Sequence, residues 1–382
     1  MKTMKRLPSP EKGSILVWTI VMLAVLIAFT ALATDIPYLY VARHQAQTAA
    51  DAGAIAGAYS LLVAPIPTQA KTDAKALAKK TPIIGQFLTD PQIDAFTCNS
   101  NGGTIGECAA DSANPDQVTC KTHRDVAHGN PMPLFLMPVL QLFGLGKATA
   151  DHSGSDAANV GAAATARRVN ACSGNCFKPW VVTDKWVDTN GNGEFDDGID
   201  LYDPVTTGYQ YPRDNGLEVT LKIGEAKLTP SFYNPVDFPP LNRGTPVTGG
   251  DQYRENIDTC GPDSFVAVGD QLQDEPGAKV GPTQQGVQAL IDQDPTAFWD
   301  SSCNCANSPK GINSPRLIRI AFFDPRLPVD PGRNYVTVIK VGGFFLDHIQ
   351  GKDVIGRFTQ VAAFGGAPDP GCAGLQTVQL VK

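Results

Sequence analysis

The chain has 382 residues, of which 42% are hydrophobic and 18% are charged, and its net charge is −7 at pH 7. That length is enough for one to three domains. Residues 1–13 contain four basic side chains and one acidic side chain, so they carry +3 and the remaining chain carries −10. Because lysine and arginine do not cluster in that acidic remainder, we expect no nucleic-acid partner.

The first element is an apolar run at residues 13–33, which contains no charged side chain. Twenty apolar residues in a helix match the hydrocarbon core of a bilayer, so residues 14–33 predict a single transmembrane helix. Because basic residues precede this run, the positive-inside rule predicts that residues 1–13 are a cytoplasmic segment and that the residues after the run are exported. Ala31-Leu32-Ala33 has the small-x-small pattern of a cleavage site, so removal of the run as a signal peptide is an alternative.

Residues 34–62 predict a juxtamembrane helix rich in alanine and glycine. Its small residues recur every four positions, which places them in two adjacent stripes. The stripes are Ala49, Gly53, Gly57 and Ala46, Ala50, Ala54, Ala58. Such a surface lets another helix approach closely, and we expect it to pack against a partner subunit; packing on the protein's own domain is the alternative. We expect Pro37 to kink or restart the helix, because proline interrupts the hydrogen-bond ladder.

Three segments carry a resemblance to a known family: Lys12-Gly13-Ser14, Tyr38-Leu39-Tyr40-Val41-Ala42-Arg43-His44-Gln45 and Thr48-Ala49-Ala50-Asp51-Ala52-Gly53-Ala54-Ile55-Ala56-Gly57-Ala58. Together with the apolar run, their order resembles the N-terminal module of TadE/TadG-like Flp pilus-assembly proteins. In that family a membrane helix runs through an aspartate, which corresponds to Asp35 here, into an alanine-rich helix. The similarity covers residues 12–60, and an apolar helix followed by a small-residue strand extends it to about residue 169.

The resemblance implies a non-enzymatic, membrane-anchored component of Flp/Tad-type pilus assembly or of a related surface structure. It implies a single-pass protein of the bacterial inner membrane, with a cytoplasmic N-terminus and a periplasmic or cell-surface C-terminal domain. Its partners would be the membrane and other pilus-assembly or secretion subunits. The alternatives are a membrane-anchored extracytoplasmic hydrolase and a calcium-dependent adhesin.

Residues 63–169 predict an α/β segment with a cysteine-rich loop. Within it, residues 68–80 predict a helix. Residues 133–144 are apolar but too few to span a bilayer, so they predict a buried or membrane-surface helix. Residues 148–168 predict a strand interrupted by a loop. The polar loop between the first helix and this strand contains three cysteines for which local disulfides are expected. They are Cys98, Cys108 and Cys120.

All nine cysteines follow the apolar run, which indicates an oxidising compartment and disulfide bonds. Because the count is odd, at least one thiol stays free or pairs between chains. The five histidines are scattered along the sequence, and the spacing of Cys172 and Cys176 has no matching second pair. We therefore do not expect a structural zinc site.

Residues 170–382 predict a mainly-β C-terminal domain, because short β-type runs alternate with proline and glycine clusters. The runs are residues 181–182, 217–223, 264–268, 317–323, 335–341 and 376–381. One helix is predicted at residues 284–292, with Thr283 as its N-cap. The predicted fold class is α+β: a single transmembrane helix that continues into an Ala/Gly-rich helix, followed by a loop-rich, mainly-β exported domain with disulfides.

Within this domain, residues 188–200 have the spacing of a calcium-binding loop. Positions 1, 3, 5 and 9 carry oxygen-bearing side chains. Gly193 at position 6 allows the sharp turn that brings these oxygens to one point. Position 12 is Ile199 rather than the bidentate glutamate of an EF-hand, so Asp200 or Asp197 would complete the shell. A solvated turn is the alternative. The predicted ligands of a structural Ca²⁺ ion are Asp188, Asn190, Asn192, Glu194, Asp196 and Asp200.

No motif of a familiar catalytic site occurs in the sequence, which contains neither Gly-x-Ser-x-Gly nor His-Glu-x-x-His. Acidic residues are numerous, but no two of them form a convincing catalytic pair. We therefore expect no enzymatic activity, and we identify neither a catalytic residue nor a small-molecule substrate.

Overall fold

The computed structural model describes residues 14–63, 66–100, 106–112, 115–135, 157–223, 228–229, 232–275, 277, 279–327, 335–369, 372 and 374–381. The predicted cytoplasmic segment at residues 1–13 lies outside the described residues. So do most of the helix predicted at residues 133–144 and the first part of the strand predicted at residues 148–168.

The described residues form an α+β fold, as predicted. In chain order the elements are α1 (Ser14–Val63), α2 (Pro67–Ala78), β1 (Ile93–Cys98), β2 (Gln117–Arg124), β3 (Met132–Pro133), β4 (Ala157–Ala158), β5 (Val160–Ala171), β6 (Ser173–Gly174), β7 (Phe177–Thr183), β8 (Glu218–Ile223), β9 (Phe232–Asp237), α3 (Gly250–Asp258), β10 (Val266–Ala267), β11 (Gln271–Asp274), α4 (Val280–Gln293), β12 (Phe298–Asp300), β13 (Cys305–Asn307), β14 (Leu317–Phe323), β15 (Tyr335–Thr337), β16 (Lys340–Gln350), β17 (Asp353–Thr359), β18 (Val361–Ala362) and β19 (Leu375–Leu380).

Helix α1 is a single helix of 50 residues, and it continues through Pro37. The expected restart at this proline is therefore wrong. Proline removes one hydrogen bond to the preceding turn, and long apolar helices tolerate that loss where neighbouring groups satisfy the freed carbonyl. The predicted transmembrane and juxtamembrane segments are two halves of one helix.

The first sheet has five strands in the order β1-β2-β5-β19-β18. Strand β2 is antiparallel to both β1 and β5, and β19 is antiparallel to β5. Helices α1 and α2 pack on the sheet, and the buried side chains Val118 and Cys120 of β2 share one core with alanines of both helices. Alanine side chains are small, so the helix backbones can lie close to the sheet. Strand β19, the last of the described strands, thus lies inside the sheet on which the N-terminal helix packs.

The second sheet has eight strands in the order β15-β11-β9-β7-β14-β16-β17-β8. Its central strand β7 is buried along its whole length. Trp180 and Val182 contribute to one core, while Phe177 and Val181 contribute to another, because successive side chains of a strand point to opposite faces. Helices α3 and α4 supply side chains to the first of these cores. Both faces of this sheet are therefore covered.

Helix α4 begins at Val280, earlier than predicted, and Thr283 is not its N-cap. The Thr283 side chain is fully buried and lies 3.0 Å from the Tyr253 hydroxyl, which accepts a hydrogen bond from the Trp180 indole. The threonine hydroxyl is used in a buried polar network between α3, α4 and β7. That tertiary role overrides the local capping preference.

Four disulfides join eight of the nine cysteines: Cys98–Cys108, Cys172–Cys372, Cys176–Cys260 and Cys303–Cys305. The odd thiol is that of Cys120, which is buried in the core between α1 and the first sheet. Burial raises the pKa of this thiol to about 12. The expectation of disulfides with one unpaired cysteine is confirmed, and the local pair in the 98–120 segment is Cys98–Cys108.

A buried pair of carboxyl groups lies beside β9 and β11. Asp237 and Glu275 are only 1% and 3% exposed, and the Glu275 carboxylate also accepts a hydrogen bond from the Gly249 amide and pairs with Lys279. Burial, and next the hydrogen bond and negative charge of Glu275, raise the pKa of Asp237 to about 8. The folded protein therefore holds a proton on Asp237 that the unfolded chain releases near pH 4.

We predict that Asp237→Asn flattens the pH dependence of stability. The stabilising contribution of the protonated acid is fully present below the pKa of the unfolded chain and is lost as the pH rises towards 8. The free energy of unfolding of the wild type should decrease by roughly 1–3 kcal/mol between pH 5 and pH 8, and its melting temperature should fall accordingly. The variant should not show this decrease. Asp251→Asn, which changes an exposed carboxylate, is the control. Parallel melting curves for all three proteins across this pH range would contradict the prediction.

Candidate functional site

The N-terminal half of α1 exposes its apolar side chains. Ile15 is 73% exposed and Phe29 is 67% exposed, and an 18-residue window with a mean hydropathy of 2.7 has none of its residues buried. Among the described residues, this is the one helix long and apolar enough to cross a membrane. Exposed apolar side chains around a helix of this length are compatible with a single-pass membrane anchor.

The end of the apolar half is marked by Asp35. This aspartate is 2% exposed, and its Oδ1 atom accepts a hydrogen bond from the backbone amide of Phe135 at 3.2 Å. One turn further along the helix, the ring of Tyr38 packs edge-on against the ring of Phe135 with 5.0 Å between centroids. The segment that follows β3 therefore returns to the point where α1 emerges from the apolar stretch.

The C-terminal half of α1 buries its small-residue stripes within the protein. A Cβ atom added to Gly53 would lie 2.5 Å from Cys120 Sγ and 3.0 Å from the Ala74 carbonyl oxygen. One added to Gly57 would lie 2.7 Å from a methyl group of Val118. The expectation that these stripes pack against a partner subunit is therefore wrong: α2 and the first sheet cover them. The alanines that are fully buried there are Ala42, Ala46, Ala49, Ala50, Ala54 and Ala58.

The calcium-type loop connects β7 to β8 and is closed at its base by backbone pairing. Val187 and Leu201 exchange two amide–carbonyl hydrogen bonds of 3.0 and 3.2 Å. Gly193, at position 6 of the pattern, has a φ of +74°, which glycine adopts without strain. The sharp turn that the spacing predicted is therefore present. The ring of Phe195 packs edge-on against Trp186, which fixes the loop to the domain.

Three of the predicted ligands meet inside the loop. Asp196 Oδ2 accepts hydrogen bonds from the side-chain amides of Asn190 at 2.8 Å and Asn192 at 2.6 Å. Asp188 and Asp200 use their carboxylate oxygens differently, each accepting hydrogen bonds from two backbone amides of the loop. The Glu194 backbone amide donates to the side-chain oxygen of Asn192 at 2.8 Å. Side-chain oxygens thus organise the whole turn.

A second group of side chains with metal-binding atoms, not predicted from the sequence, lies at the end of β2. One ligand atom from each of Asp94, His123 and His128 lies within 4.8 Å of the others. The spacing of His123, Asp125 and His128 is the local signal that could have identified two of these residues. Asp94 comes from the neighbouring strand, so only the pairing of β1 with β2 reveals the complete group.

The exposed apolar half of α1, attached to a disulfide-bonded β domain, fits the class of membrane-anchored proteins with a globular domain. Residues 13–60 match the family model of Flp pilus-assembly TadE/G-like proteins. The match confirms the resemblance of the N-terminal module, and it supports a component of pilus assembly. No curated protein and no solved structure matches the chain.

Proposed function

We propose that this protein is a non-enzymatic, membrane-anchored component of Flp/Tad-type pilus assembly, or of a related surface structure, with an exported domain. The observation that carries the proposal is the family match at residues 13–60, which coincides with α1 from its first residue almost to its end. The proposed role combines an anchor in the membrane with a disulfide-bonded domain outside it. The membrane and other pilus-assembly or secretion subunits are its proposed partners.

The proposed orientation places the N-terminus in the cytoplasm and the globular domain in the periplasm or at the cell surface. Support comes from the basic residues that precede the apolar run and from the four disulfides, which form in oxidising compartments. Tyr40 is exposed and lies seven residues beyond Ala33, which is about 10 Å along a helix. A tyrosine at that distance fits the headgroup region of a bilayer.

Contacts with other subunits would not use the buried small-residue stripes. They would use the lipid-facing half of α1, or the surface of the acidic globular domain. Because the helix and the first sheet form one packed unit, a force or a movement on the globular domain would be transmitted directly to the membrane helix.

Deletion of the gene in its native host tests the proposed function. We expect loss or shortening of Flp-type pili, restored by the full-length chain but not by a chain with Leu23→Arg and Leu26→Arg, which places two charges in the apolar half. Thr48→Ala, an exposed change on the same helix, should complement fully. Fusion of alkaline phosphatase to the C-terminus should give activity only if the domain is exported. Unchanged piliation and adherence in the deletion strain would refute the proposal.

We further propose that residues 188–200 bind a structural Ca²⁺ ion through Asp188, Asn190, Asn192, Glu194, Asp196 and Asp200. The convergence of Asn190 and Asn192 on Asp196 supports this proposal. Rotation of each asparagine amide by half a turn would present its oxygen where its nitrogen now donates, and calcium coordinates such amide oxygens together with carboxylates. The ion would fix the loop to Trp186 and the second sheet.

We predict that calcium raises the melting temperature of the wild type and that Asp188→Ala abolishes this increase. At a hundredfold excess over the dissociation constant, a bound ion stabilises a protein by about 2.7 kcal/mol. Titration calorimetry on the full chain should give one binding event, and Asp203→Ala, in the following turn, should keep it. Absence of calcium heat with the wild type, together with an unchanged melting temperature, would leave the solvated turn as the correct interpretation.

A further inference from the structure

Four ionisable side chains lie together on the outer face of the first sheet, at the end of β2 and in the turn after it. They are Asp94, His123, Asp125 and His128. Asp94 lies opposite Lys121 in the β1–β2 register, and His123 lies two residues further along on the same face. A turn follows in which the Asn130 amide donates to the Asp125 carbonyl at 3.0 Å. This turn folds His128 back over His123.

The two imidazole rings are stacked, with 4.1 Å between their centroids and 14° between their planes. Asp125 lies behind both of them: its Oδ1 atom is 2.6 Å from His128 Nδ1, and its Oδ2 atom is 3.6 Å from His123 Nδ1. Both Nδ1 atoms therefore face one carboxylate. His123 Nε2 lies 3.2 Å from Asp94 Oδ2.

We propose that Asp94, His123 and His128 bind a divalent transition-metal ion, with Zn²⁺ as the best-suited ion and water as the fourth ligand. The ligands would be one Asp94 carboxylate oxygen and the two Nε2 atoms. Because a metal ion lies in the plane of each imidazole ring that binds it, the two stacked rings would turn out of their parallel arrangement on binding. Zinc lies about 2.0–2.1 Å from nitrogen and oxygen ligands, so two ligand atoms of a tetrahedral site lie about 3.3 Å apart. The observed separation of His123 Nε2 and Asp94 Oδ2 matches this edge.

Asp125 serves as the outer carboxylate of this site. Metal-binding histidines commonly donate their other ring N–H to a carboxylate, which fixes the tautomer and the ring orientation. The Asp125 carboxylate also accepts a hydrogen bond from the His128 backbone amide at 2.8 Å, which fixes its position against the rings. Its two oxygens face the Nδ1 atoms of the two rings and can orient both of them.

The site would fix the turn that leads from the first sheet back to α1. Arg124, between His123 and Asp125, donates to the Ile83 carbonyl at 2.9 Å and to the Asn130 side chain at 3.1 Å. The chain then continues to Phe135, whose amide donates to Asp35. Metal binding would therefore stabilise the part of the domain that lies nearest to the apolar half of the helix. This inference is independent of the proposed function.

Titration of the full chain in detergent with ZnCl₂ tests the proposal. We expect one Zn²⁺ per chain, an increase in melting temperature, and weaker binding at acidic pH, because imidazole must be neutral to bind a metal. Titration with Co²⁺ should give the visible absorption of a tetrahedral complex with nitrogen ligands. Asp125→Asn should weaken binding by about 10–100-fold, the usual cost of losing an outer carboxylate.

The variant with both His123→Ala and His128→Ala should lose at least that much affinity and also the Co²⁺ spectrum. His348→Ala is the matched control, since this histidine is exposed and lies beside Asp347 in the second sheet. Asp188→Ala should leave zinc binding unchanged, which separates this site from the calcium-type loop. No stoichiometric Zn²⁺ binding by the wild type would overturn the proposal. Equal affinities for the wild type and the double histidine variant would also overturn it.

Discussion

Replacing Gly53 by leucine should separate α1 from the first sheet and expose the buried thiol of Cys120. Even a single added carbon at this position would lie 2.5 Å from Cys120 Sγ and 3.2 Å from Ala78 Cβ. Leucine adds three more carbons to a site that has no room for the first. Overpacking of a core costs about 1–3 kcal/mol and occasionally more, and we expect a loss of about 3 kcal/mol or more here. Thermal melting of the full chain in detergent measures this loss.

The reactivity of Cys120 provides a second readout that is specific to this interface. In the wild type the thiol is buried and its pKa is raised by burial, so it should react slowly with a thiol reagent under native conditions. In Gly53→Leu the labelling rate should rise well before global unfolding. Thr48→Leu introduces the same side chain at an exposed position of α1 and should change neither the melting temperature nor the labelling rate. A Gly53→Leu protein that keeps wild-type protection of Cys120 would contradict this packing of α1 on the first sheet.

The helix could be predicted from the sequence because its signals are local. The uncharged run at residues 14–33 and the four-residue spacing of Ala46, Ala50 and Ala54 each lie within a few turns. The same spacing shows that one face is closely packed but not what covers it. That information lies in residues from Ala70 to Ala78 on α2 and in β2, which are brought to the stripe only by the tertiary fold.

Several strands of the C-terminal part could also be predicted individually, but β9, β11 and β17 were missed, and the order of the strands could not be predicted. Residues 317–323 form β14 with the predicted bounds, because β-branched and aromatic residues are concentrated there. The pairing of β19 with β5 joins residues about two hundred positions apart, and no pattern within either strand specifies that partner. Sheet order depends on such long-range pairings, whereas secondary structure depends on neighbouring residues.

The calcium-type loop and the proposed zinc site also differ in how far apart their ligands lie in the sequence. The predicted calcium ligands lie within thirteen consecutive residues, so their spacing carries most of the prediction. The proposed zinc site combines two histidines of one turn with Asp94 from another strand, and the third ligand becomes visible only through the β1–β2 register. The spacing of His123 and His128 is a local signal that could have been used, whereas Asp94 can be added only from the strand pairing.

Replacing Cys172 and Cys372 together by alanine should destabilise the protein far more than the same change at Cys303 and Cys305. The first disulfide closes a loop between residues 200 positions apart, and the second joins residues 2 positions apart. In the chain-entropy description, removing the long-range link costs roughly 5 kcal/mol and removing the short one roughly 1–2 kcal/mol. Comparing the melting temperatures of the two double variants and the wild type, all as full-length chains, measures the difference.

The position of the long-range disulfide gives the prediction a structural readout as well. Cys172 follows Ala171, which pairs with Leu375 in the β5–β19 ladder, and Cys372 precedes that strand. Without the link, β19 is held in the first sheet by its backbone pairing, by buried side chains such as Leu375 and by a hydrogen bond from Arg167 to Gln379. Amide hydrogen exchange in β19 should therefore accelerate in the Cys172→Ala, Cys372→Ala variant and stay slow in the Cys303→Ala, Cys305→Ala variant. Equal protection of β19 in both variants, with equal melting temperatures, would mean that strand packing alone secures the last strand and that loop closure contributes little.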